Sequence, residues 1–350
     1  MILTTVGNAP VTGSSEAFGL SEDGRVVGQE DATFPFLWTP TTPNAASGAS
    51  QRLPTFSMAG PADATATATN AGGDVVGFAD MTDASGAQVT RAVIWLAGAG
   101  TVQEMGTLTP DPFNAGAFLG NSKAMAINDA GVVVGVSDTS IGVEHAFAFD
   151  PANNFMQDLG SLVPLSMVPA VPDPSQALGI NSQGDIVGEA AALDGQGGTV
   201  ARAFLLAAGT FSMVDLGTHL PDSQGPGGFI GDSVAFAIND SGLVVGSAAA
   251  GDPAAPVQAP ATFQAGMPPS GPFPAEGKAV AVSSSGVIVG TTGQPPAAFV
   301  FDSVSGALDL TSQQGGPPPD IAHAVGVNAA GQIAVITSGG SGTEAALLTP

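Results

Sequence analysis

Apolar and polar positions alternate with period two in short stretches, and a polar turn containing glycine interrupts them at intervals along the chain. The stretch AMAINDAGVVVGVSD at 124–138 recurs with small changes as AFAINDSGLVVGSAA at 235–249. Alternation on both sides of Asn-x-x-Gly is typical of a β-hairpin, because glycine adopts positive φ without steric cost and asparagine bonds back to its own backbone. Each copy therefore predicts a strand, a tight turn and a second strand.

Seven copies of this hairpin follow one another along the chain. Each begins with a recurring alanine, and the set is Ala17, Ala66, Ala124, Ala177, Ala235, Ala279 and Ala324. The turn glycines are Gly24, Gly73, Gly131, Gly184, Gly242, Gly286 and Gly331. Their spacings of 49, 58, 53, 58, 44 and 45 residues indicate a solenoid, a propeller or an array.

Third and fourth apolar runs follow the hairpins, such as HAFAF at 145–149 and MQDLGSL at 156–162. Four short strands per unit are typical of a β-propeller blade. The fourth strand of the fifth unit is obscured by the prolines of GMPPSGPFPAEG at 266–277, because proline cannot donate to a strand ladder.

The seventh unit ends after its third strand, and the stretch MILTTVG at 1–7 resembles the fourth strands of other units. The distance between turn glycines, counted across the two chain ends, is close to that of the neighbouring repeats. The sequence therefore predicts an all-β fold. It is a seven-bladed β-propeller with four-stranded blades, formed as a single domain over residues 1–350. Residues 1–7 complete the last blade and close the ring.

The repeat unit A-x-x-I-N-x-x-G-x-V-V-G, followed by H-A-F and M-x-D-L-G-x-L, resembles the extracellular HAF repeat family of bacterial proteins. The third copy carries the pattern most fully, over 124–135, 145–147 and 156–162, whereas other copies have RAF at 202–204 or AAF at 297–299. The resemblance spans essentially the whole chain. It implies an extracellular or cell-surface location in a bacterium, and it implies no established catalytic residues.

The chain is strongly acidic, with a net charge of −24 although only 10% of its residues are charged. Such a surface repels phosphate backbones and anionic lipid heads, so the sequence argues against nucleic-acid binding. No stretch approaches the apolar length of a membrane span, so membrane insertion is not expected. The start MILTTVGNAPVTG lacks the basic and apolar regions of a signal peptide. We therefore expect either that a leader was removed or that the protein is not exported by that route.

Long irregular segments are predicted on one face of the propeller, where strands two and three and successive blades are joined. These segments are 109–122, 163–175, 219–233 and 311–323. They build a binding surface or reflect drift in solvent-facing loops, and the sequence leaves both interpretations open. The apolar residues that we predict as interface contacts are Phe113, Phe118, Phe229 and Ile230.

The residue before each recurring alanine is predicted to lie at the mouth of the central channel on the same face. The ring-forming positions are Glu16, Thr65, Lys123, Gln176, Val234, Lys278 and His323, which include both lysines of the protein. Neighbouring blades place Lys278, His323 and Glu16 side by side. The predicted ligand-binding residues are Glu16, Lys123, Gln176, Lys278 and His323, and the ligand group is a carboxylate or sulfate. The alternative is that the lysines only offset repulsion between acidic loops.

Metal and packing roles are predicted for other residues. Asp80 with Asp83, or Asp222 with Asp232, could offer oxygens to Ca²⁺, but the sequence favours turn capping as the role of these aspartates. No cofactor is required. Further packing roles are predicted for Asp158, Asp215 and Asp309 as hydrogen-bond acceptors, and for Trp38 and Trp95. The histidines His145, His219 and His323 are too widely separated in the chain to suggest one zinc site.

Nucleophilic catalysis has no motif in its support, because the chain lacks cysteine, tyrosine and a Gly-x-Ser-x-Gly elbow. The leading hypothesis is a non-catalytic binding or adhesion propeller that uses its loop-rich face, and therefore not an enzyme. One alternative is a structural subunit that polymerises into a surface layer or fibre. Another is a propeller hydrolase or lyase with a site at the channel mouth. The expected partners are an extracellular polymer, a protein or further copies of the chain.

Overall fold

The computed structural model describes residues 2–7, 13–56, 63–83, 85–164, 167, 171–194, 198–220, 230–271, 276–292, 297–302, 306–310, 320–339 and 342–350. Over these residues the regular structure is built from 28 β-strands, which form seven four-stranded antiparallel sheets. No helix that could cross a membrane is found in this part of the chain.

The first strands of adjacent sheets contact one another around a common axis, so they are the innermost strands. They are β2 (Ser15–Leu20), β6 (Ala64–Thr69), β10 (Ser122–Ile127), β14 (Ser175–Ile180), β18 (Ser233–Ile238), β22 (Gly277–Val282) and β26 (Asp320–Val327). The second strands are β3 (Val26–Glu30), β7 (Val75–Thr82), β11 (Val133–Asp138), β15 (Ile186–Leu193), β19 (Val244–Asp252), β23 (Ile288–Thr292) and β27 (Ile333–Gly339). The blades are numbered 1 to 7 in this order.

The two outer strands complete each blade. The third strands are β4 (Phe34–Pro40), β8 (Gln88–Trp95), β12 (Glu144–Asp150), β16 (Thr199–Leu206), β20 (Ala255–Gln264), β24 (Ala297–Asp302) and β28 (Gly342–Thr349). The fourth strands are β5 (Gly48–Arg52), β9 (Gln103–Glu104), β13 (Phe155–Asp158), β17 (Val214–Asp215), β21 (Met267–Ser270), β25 (Gly306–Asp309) and, in blade 7, β1 (Ile2–Thr5). The prediction of a seven-bladed β-propeller is confirmed.

The ring closes as the sequence predicts. Strand β1 pairs antiparallel with β28, from Ile2 opposite Thr349 to Thr5 opposite Ala346. The backbone N–H of Val6 then donates to the Ala345 carbonyl at 3.0 Å. The first and last strands of the chain therefore belong to the same sheet.

The fourth strands differ in length from the apolar runs of the sequence. Blade 2 keeps only Gln103–Glu104 in its fourth strand and blade 4 only Val214–Asp215. Blade 5 does form a fourth strand, Met267–Ser270, in spite of its two prolines. This strand is the outermost of its sheet, where a missing N–H leaves no partner unsatisfied.

Each inner hairpin contains a β-bulge directly after its recurring alanine. In blades 1 to 6 the opposing residue of the second strand is glycine, and a Cβ there would overlap the carbonyl oxygen before the alanine. The glycines are Gly28, Gly77, Gly135, Gly188, Gly246 and Gly290. They are required by close backbone approach, in contrast to the seven turn glycines, which have positive φ.

Asparagines of the inner turns connect neighbouring blades. The Oδ1 of Asn128 accepts from the Val132 N–H at 3.0 Å, which closes its own turn. Its Nδ2 donates to the Asn181 carbonyl of the next blade at 3.1 Å. The same inter-blade bond is donated by Asn70, Asn128, Asn181, Asn239 and Asn328. We call these five residues the asparagine belt.

A serine at the start of the inner strand forms a second contact between blades. The Ser122 hydroxyl accepts from the Ala92 N–H at 2.9 Å and donates to the Gly106 carbonyl at 2.6 Å. Equivalent bonds to the preceding blade are made by Ser15, Ser175 and Ser233. The buried hydroxyls of Ser122 and Ser175 therefore both donate to and accept from the backbone, and those of Ser15 and Ser233 accept from it.

The hydrophobic core is divided among the interfaces between blades. One cluster joins Phe147 and Phe149 of blade 3 to Val76 and Ile94 of blade 2. Trp38 and Trp95 are buried at 3% exposure in third strands, which confirms their packing role. Apolar burial across the blade interfaces is the main contribution to stability in such a ring.

Candidate active site at the channel mouth

The inner strands place the predicted ring of residues at one end of the channel. Each ring residue directly precedes the recurring alanine and the bulge, so its strand position is the same in every blade. Lys278 lies opposite Thr291, His323 opposite Ile336 and Glu16 opposite Gln29. These positions fall on the consecutive inner strands β22, β26 and β2, which contact one another.

The basic residues of the protein fall into two groups according to their partners. Each of the four arginines forms a salt bridge, and the residues are Arg25, Arg52, Arg91 and Arg202. Within the described parts of the chain, neither Lys123 nor Lys278 forms a salt bridge. Both lysines are exposed and lie on the ring. In a protein of net charge −24, two unpaired ammonium groups at one end of the channel mark a local positive site.

The two lysines point in different directions. The Nζ of Lys278 lies 5.5 Å from the ring centroid of Phe236, an inner-strand residue of blade 5. The inner-strand position of Phe236 corresponds to Phe18 and Met125, which line the channel cavity. Lys278 therefore lies against the inner strand of the preceding blade. The Nζ of Lys123 instead lies 5.1 Å from the ring of Phe78, on the second strand of blade 2.

His323 and Glu16 stand on the two blades that follow Lys278. The His323 side chain is half-buried, and its Nδ1 lies 3.4 Å from the Thr291 hydroxyl. The Glu16 side chain is also half-buried, and its Oε1 accepts from the Thr343 hydroxyl at 3.3 Å. Both contacts run to strands outside the innermost one of the preceding blade, since Thr291 belongs to β23 of blade 6 and Thr343 to β28 of blade 7. A cation, an imidazole and a carboxylate thus hold equivalent backbone positions on three consecutive inner strands. This is a combination used in acid–base and electrostatic catalysis.

Gln176 lies in a different environment on blade 4. Its Nε2 donates to Glu189 Oε1 at 2.5 Å. Both residues line a cavity of about 400 Å³ on the same face of the propeller, together with Glu144 and Asp232. This cavity is acidic, so it does not suit a carboxylate or sulfate ligand. Of the five predicted ligand residues, Lys278, His323 and Glu16 stand on the consecutive inner strands β22, β26 and β2, whereas Lys123 and Gln176 stand on β10 and β14 of blades 3 and 4.

An Asp–His–Asp cluster lies in the interface between blades 3 and 4. The Nδ1 of His145 lies 2.9 Å from Asp158 Oδ1, and its Nε2 lies 3.4 Å from Asp173 Oδ2. Burial opposes protonation of His145. The hydrogen bond to Asp158 and the negative charges of both carboxylates outweigh that effect and raise the pKa of His145 above its ordinary value. The nearby Ser175 hydroxyl is bonded to the backbone of blade 3, so the cluster offers no nucleophile.

At the strand position of His145, blades 2 and 4 carry Arg91 and Arg202. The sequence pattern alone does not explain why this position is basic. Arg91 pairs with Glu104 of its own blade and donates to the Phe118 carbonyl at the entry to the next blade. Arg202 likewise pairs with Asp215 and donates to the Gly231 carbonyl. The basic residue of the HAF or RAF triplet therefore bridges two blades. Asp158 and Asp215 act as hydrogen-bond acceptors, as predicted, whereas the Asp309 side chain lies outside the described features.

The predicted calcium ligands serve other purposes where they are described. Asp83 caps a turn by accepting from the Ser85 and Ala87 N–H groups. Asp80 accepts from the Thr90 hydroxyl, and Asp232 from the Ala201 N–H. Asp222 lies outside the described residues. No group of three acidic or histidine side chains suited to a metal ion occurs in the described ranges.

The predicted interface residues differ in exposure. The side chain of Phe113 is 92% exposed. Phe118 is half-buried and its ring covers Gly106, because glycine leaves room there. Ile230 is half-buried and bonded to Leu220 through its backbone. Phe229 lies outside the described residues.

Comparisons with known proteins return a likeness in fold. No protein-family model matches the chain. No curated protein matches it either. Among solved structures, a gluconolactonase from Xanthomonas campestris that is important in glucose secondary metabolic pathways is similar with 12% sequence identity and a TM-score of 0.41. The match covers 99% of this chain and 89% of that one.

This comparison corrects two expectations from the sequence. The sequence led us to expect a non-catalytic binding or adhesion propeller and no enzymatic activity. The similar structure is that of an enzyme and contradicts both expectations. Both are withdrawn. The absence of a catalytic motif was a weak reason for them, because a fold does not determine function and a site has to be judged by its own geometry. At this identity and TM-score the likeness concerns the fold alone, so activity has to be argued from the residues themselves.

Proposed function

We propose that the protein is a hydrolase of small neutral esters or lactones, and that it acts at the channel mouth. The observation that supports this proposal is the position of Lys278, which forms no salt bridge in the described parts of the chain and is followed by His323 and Glu16 at the same strand position of the next two blades. Lys278 supplies positive charge where every arginine is already neutralised by a carboxylate. His323 and Glu16 supply groups that accept and return protons.

Ester hydrolysis assigns one role to each of these side chains. A water oxygen attacks the carbonyl carbon, and the carbonyl electron pair moves to the oxygen, where the Lys278 ammonium stabilises the negative charge. His323 takes the proton that the water loses, and Glu16 favours the resulting imidazolium by its negative charge. The tetrahedral intermediate then collapses, the carbon–oxygen bond of the leaving alcohol breaks, and His323 returns the proton to that oxygen.

The charge of the whole protein agrees with a neutral substrate and an acidic product. An ester or lactone carries no charge, so the net charge of −24 does not hinder its approach. Hydrolysis releases a carboxylate, which the same field repels from the protein. Product release is therefore assisted by the acidity of the chain.

The test compares substitutions of the two lysines, because both remove the same charge from the same ring. We expect Lys278→Gln to lower kcat/KM for δ-gluconolactone and for p-nitrophenyl butyrate by about 10²-fold, the typical loss for one group that stabilises an oxyanion. Lys123→Gln is the matched control and should stay within about twofold of the wild type, because Lys123 lies against Phe78 of blade 2 and its strand does not adjoin those of His323 and Glu16.

Two further variants separate a chemical role from a structural one. His323→Gln and Glu16→Gln should lower kcat far more than they raise KM, with unchanged unfolding curves in urea. Wild-type protein that hydrolyses neither probe above the buffer rate would overturn the proposal. Equal losses in the two lysine variants would also overturn it, because they would show an effect of net charge alone.

A further inference from the structure

The third strands of blades 2, 3 and 4 each carry a basic residue that contacts the chain entering the following blade. Arg91 donates to the Gly120 carbonyl at the entry to blade 3, and Arg202 donates to the Gly231 carbonyl at the entry to blade 5. A guanidinium group remains charged at physiological pH. These two bridges between blades are therefore permanent.

The interface between blades 3 and 4 has a different pair of residues at the same two places. His145 replaces the arginine. Asp173 replaces the glycine, because it also stands two residues before the serine that begins the next inner strand. Histidine is shorter than arginine, and the Asp173 carboxylate extends towards it, to 3.4 Å from its Nε2. A histidine–carboxylate contact thus takes the place of an arginine–carbonyl contact.

The contact between His145 and Asp173 is buried and depends on charge. The two side chains are 9% and 5% exposed. The Nε2 of His145 makes no hydrogen bond of ordinary geometry among the described residues, so its attraction to Asp173 requires the charge of the imidazolium. In the same ranges His145 is the one ion-pair partner of Asp173. Loss of the His145 proton would leave a buried carboxylate uncompensated, which is costly in a protein interior.

The charged groups that face His145 among the described residues are both acidic. Asp158 of β13 lies 2.9 Å from Nδ1, and Asp173 approaches Nε2 from the segment that enters blade 4. On β11 the residue opposite His145 is Ser137, whose hydroxyl is bonded to the backbone. Glu144, the preceding residue of β12, is exposed and points to the other face of the sheet. The surroundings therefore favour the protonated imidazole.

We propose that His145 is a proton-controlled clamp, which holds the segment entering blade 4 against blade 3 while protonated and releases it when the proton is lost. Because the pKa of His145 is raised above about 6.5, the clamp is closed in acidic solution and opens as the pH rises through the higher value. The released segment continues as Pro174 and Ser175, which line the cavity of about 400 Å³ on the loop-rich face. The clamp thus controls one wall of that cavity, and this inference stands independently of the proposed hydrolase activity.

Hydrogen exchange at three equivalent amides tests whether the opening is local. The Ala146 N–H bonds to the Ser175 hydroxyl across the clamp, and the N–H groups of Ala92 and Ala203 make the same bond at the two arginine interfaces. The protection factor corrects each amide for the intrinsic pH dependence of exchange. Between about pH 6 and about pH 9 we expect that of Ala146 to fall about tenfold or more relative to the other two. Equal changes at all three amides, or no change at Ala146, would overturn the proposal.

Substitutions of the two clamp residues provide the second arm of the test. His145→Arg copies the residue of blades 2 and 4, so we expect it to retain the protection of Ala146 at acidic pH and to lose its pH dependence. His145→Gln should give low protection at both pH values, because glutamine carries no charge. Asp173→Asn should reduce the fall to within about twofold, since it removes the charge that the clamp holds.

His219→Gln is the matched control and should keep the wild-type fall in Ala146 protection, because it removes a histidine outside the clamp. Urea unfolding curves show whether each variant folds. Ala146 protection that still falls with pH in folded His145→Arg or His145→Gln would contradict the clamp. An equal loss of pH dependence in His219→Gln would contradict it as well.

Discussion

Single residues connect the blades by using both ends of their side chains. An asparagine of the belt closes its own turn with its oxygen and holds the next blade with its nitrogen. Arg91 pairs with an acid in its own blade and donates to carbonyls of the next one. Such bonds lie between packed sheets, where an unmade hydrogen bond costs about 1–3 kcal/mol. The blade interfaces are therefore specified by individual polar atoms as well as by apolar area.

His145 makes one of these interfaces sensitive to pH. Because the folded protein raises the pKa of His145, its contribution to stability is complete below its unfolded pKa of about 6.5. That contribution is lost as the pH rises through the higher folded value. The pKa of Asp158 is lowered, since hydrogen bonds from His145 and the Gly160 N–H outweigh the effect of burial. Its contribution is present above an unfolded pKa of about 3.9 and is lost at lower pH.

We therefore expect the pair to stabilise the protein most between about pH 4 and 6.5. The free energy of unfolding in urea should fall between pH 6 and pH 9 in the wild type. The His145→Gln variant should lack this part of the pH dependence, because glutamine does not titrate. His219→Gln is a suitable control, since no ion pair to His219 is described. A pH profile of His145→Gln that runs parallel to the wild type would refute the assignment.

At the level of the hairpin, a bulge on one strand requires a glycine on the other. The carbonyl before the recurring alanine approaches the second strand so closely that no Cβ fits in blades 1 to 6. Blade 7 carries Val335 at this position, opposite Ala324. Its inner strand has a further register irregularity between Ile321 and His323. Blades 1 to 6 have no second irregularity of this kind in the inner hairpin.

Gly188→Ala is expected to destabilise the protein severely, by more than about 3 kcal/mol, because the new methyl group would overlap the Gln176 carbonyl within a packed sheet. Val335→Ala, at the equivalent place in blade 7, should cost only about 1–2 kcal/mol for the lost methyl groups. Urea denaturation followed by circular dichroism measures both. Similar losses in the two variants would show that the close approach in blade 4 does not matter.

The sequence predicts these elements unevenly, and the reasons are physical. Turn glycines and strand alternation are local features, so the hairpins and the ring closure are visible in the pattern. The strand-two glycines are not explained by the pattern, because their need arises from a bulge in the partner strand. Lys123 and Lys278 hold equivalent positions in the chain, and only the stacking of blades against Phe78 or Phe236 separates their directions.

The whole molecule is held closed by six residues at one end of the chain. Strand β1 covers the outer edge of β28, and Val6 is 1% exposed. A ring that lacks this strand would present the unpaired edge of β28 to solvent. Such edges promote pairing between molecules.

Removal of residues 1–6 should therefore lower the urea midpoint of unfolding and produce dimers or larger species in sedimentation velocity. A synthetic peptide of residues 1–7, added in excess, should restore the monomer and part of the lost stability. A peptide with Leu3 and Val6 replaced by serine is the control and should not restore them. A truncated protein that stays monomeric with an unchanged midpoint would contradict closure by β1 as a source of stability.

The asparagine belt gives the ring a rotational sense, because every amide bonds to the carbonyl of the following blade. Blades 1 and 6 carry Ser21 and Ser283 instead of asparagine. The described amide bonds therefore form one arc through blades 2 to 6 and a separate link from blade 7 to blade 1. Lys278 stands at the end of the long arc, and His323 and Glu16 stand on the short one. A molecule that contacted all three side chains would therefore connect the two arcs, which no hydrogen bond of the asparagine belt connects.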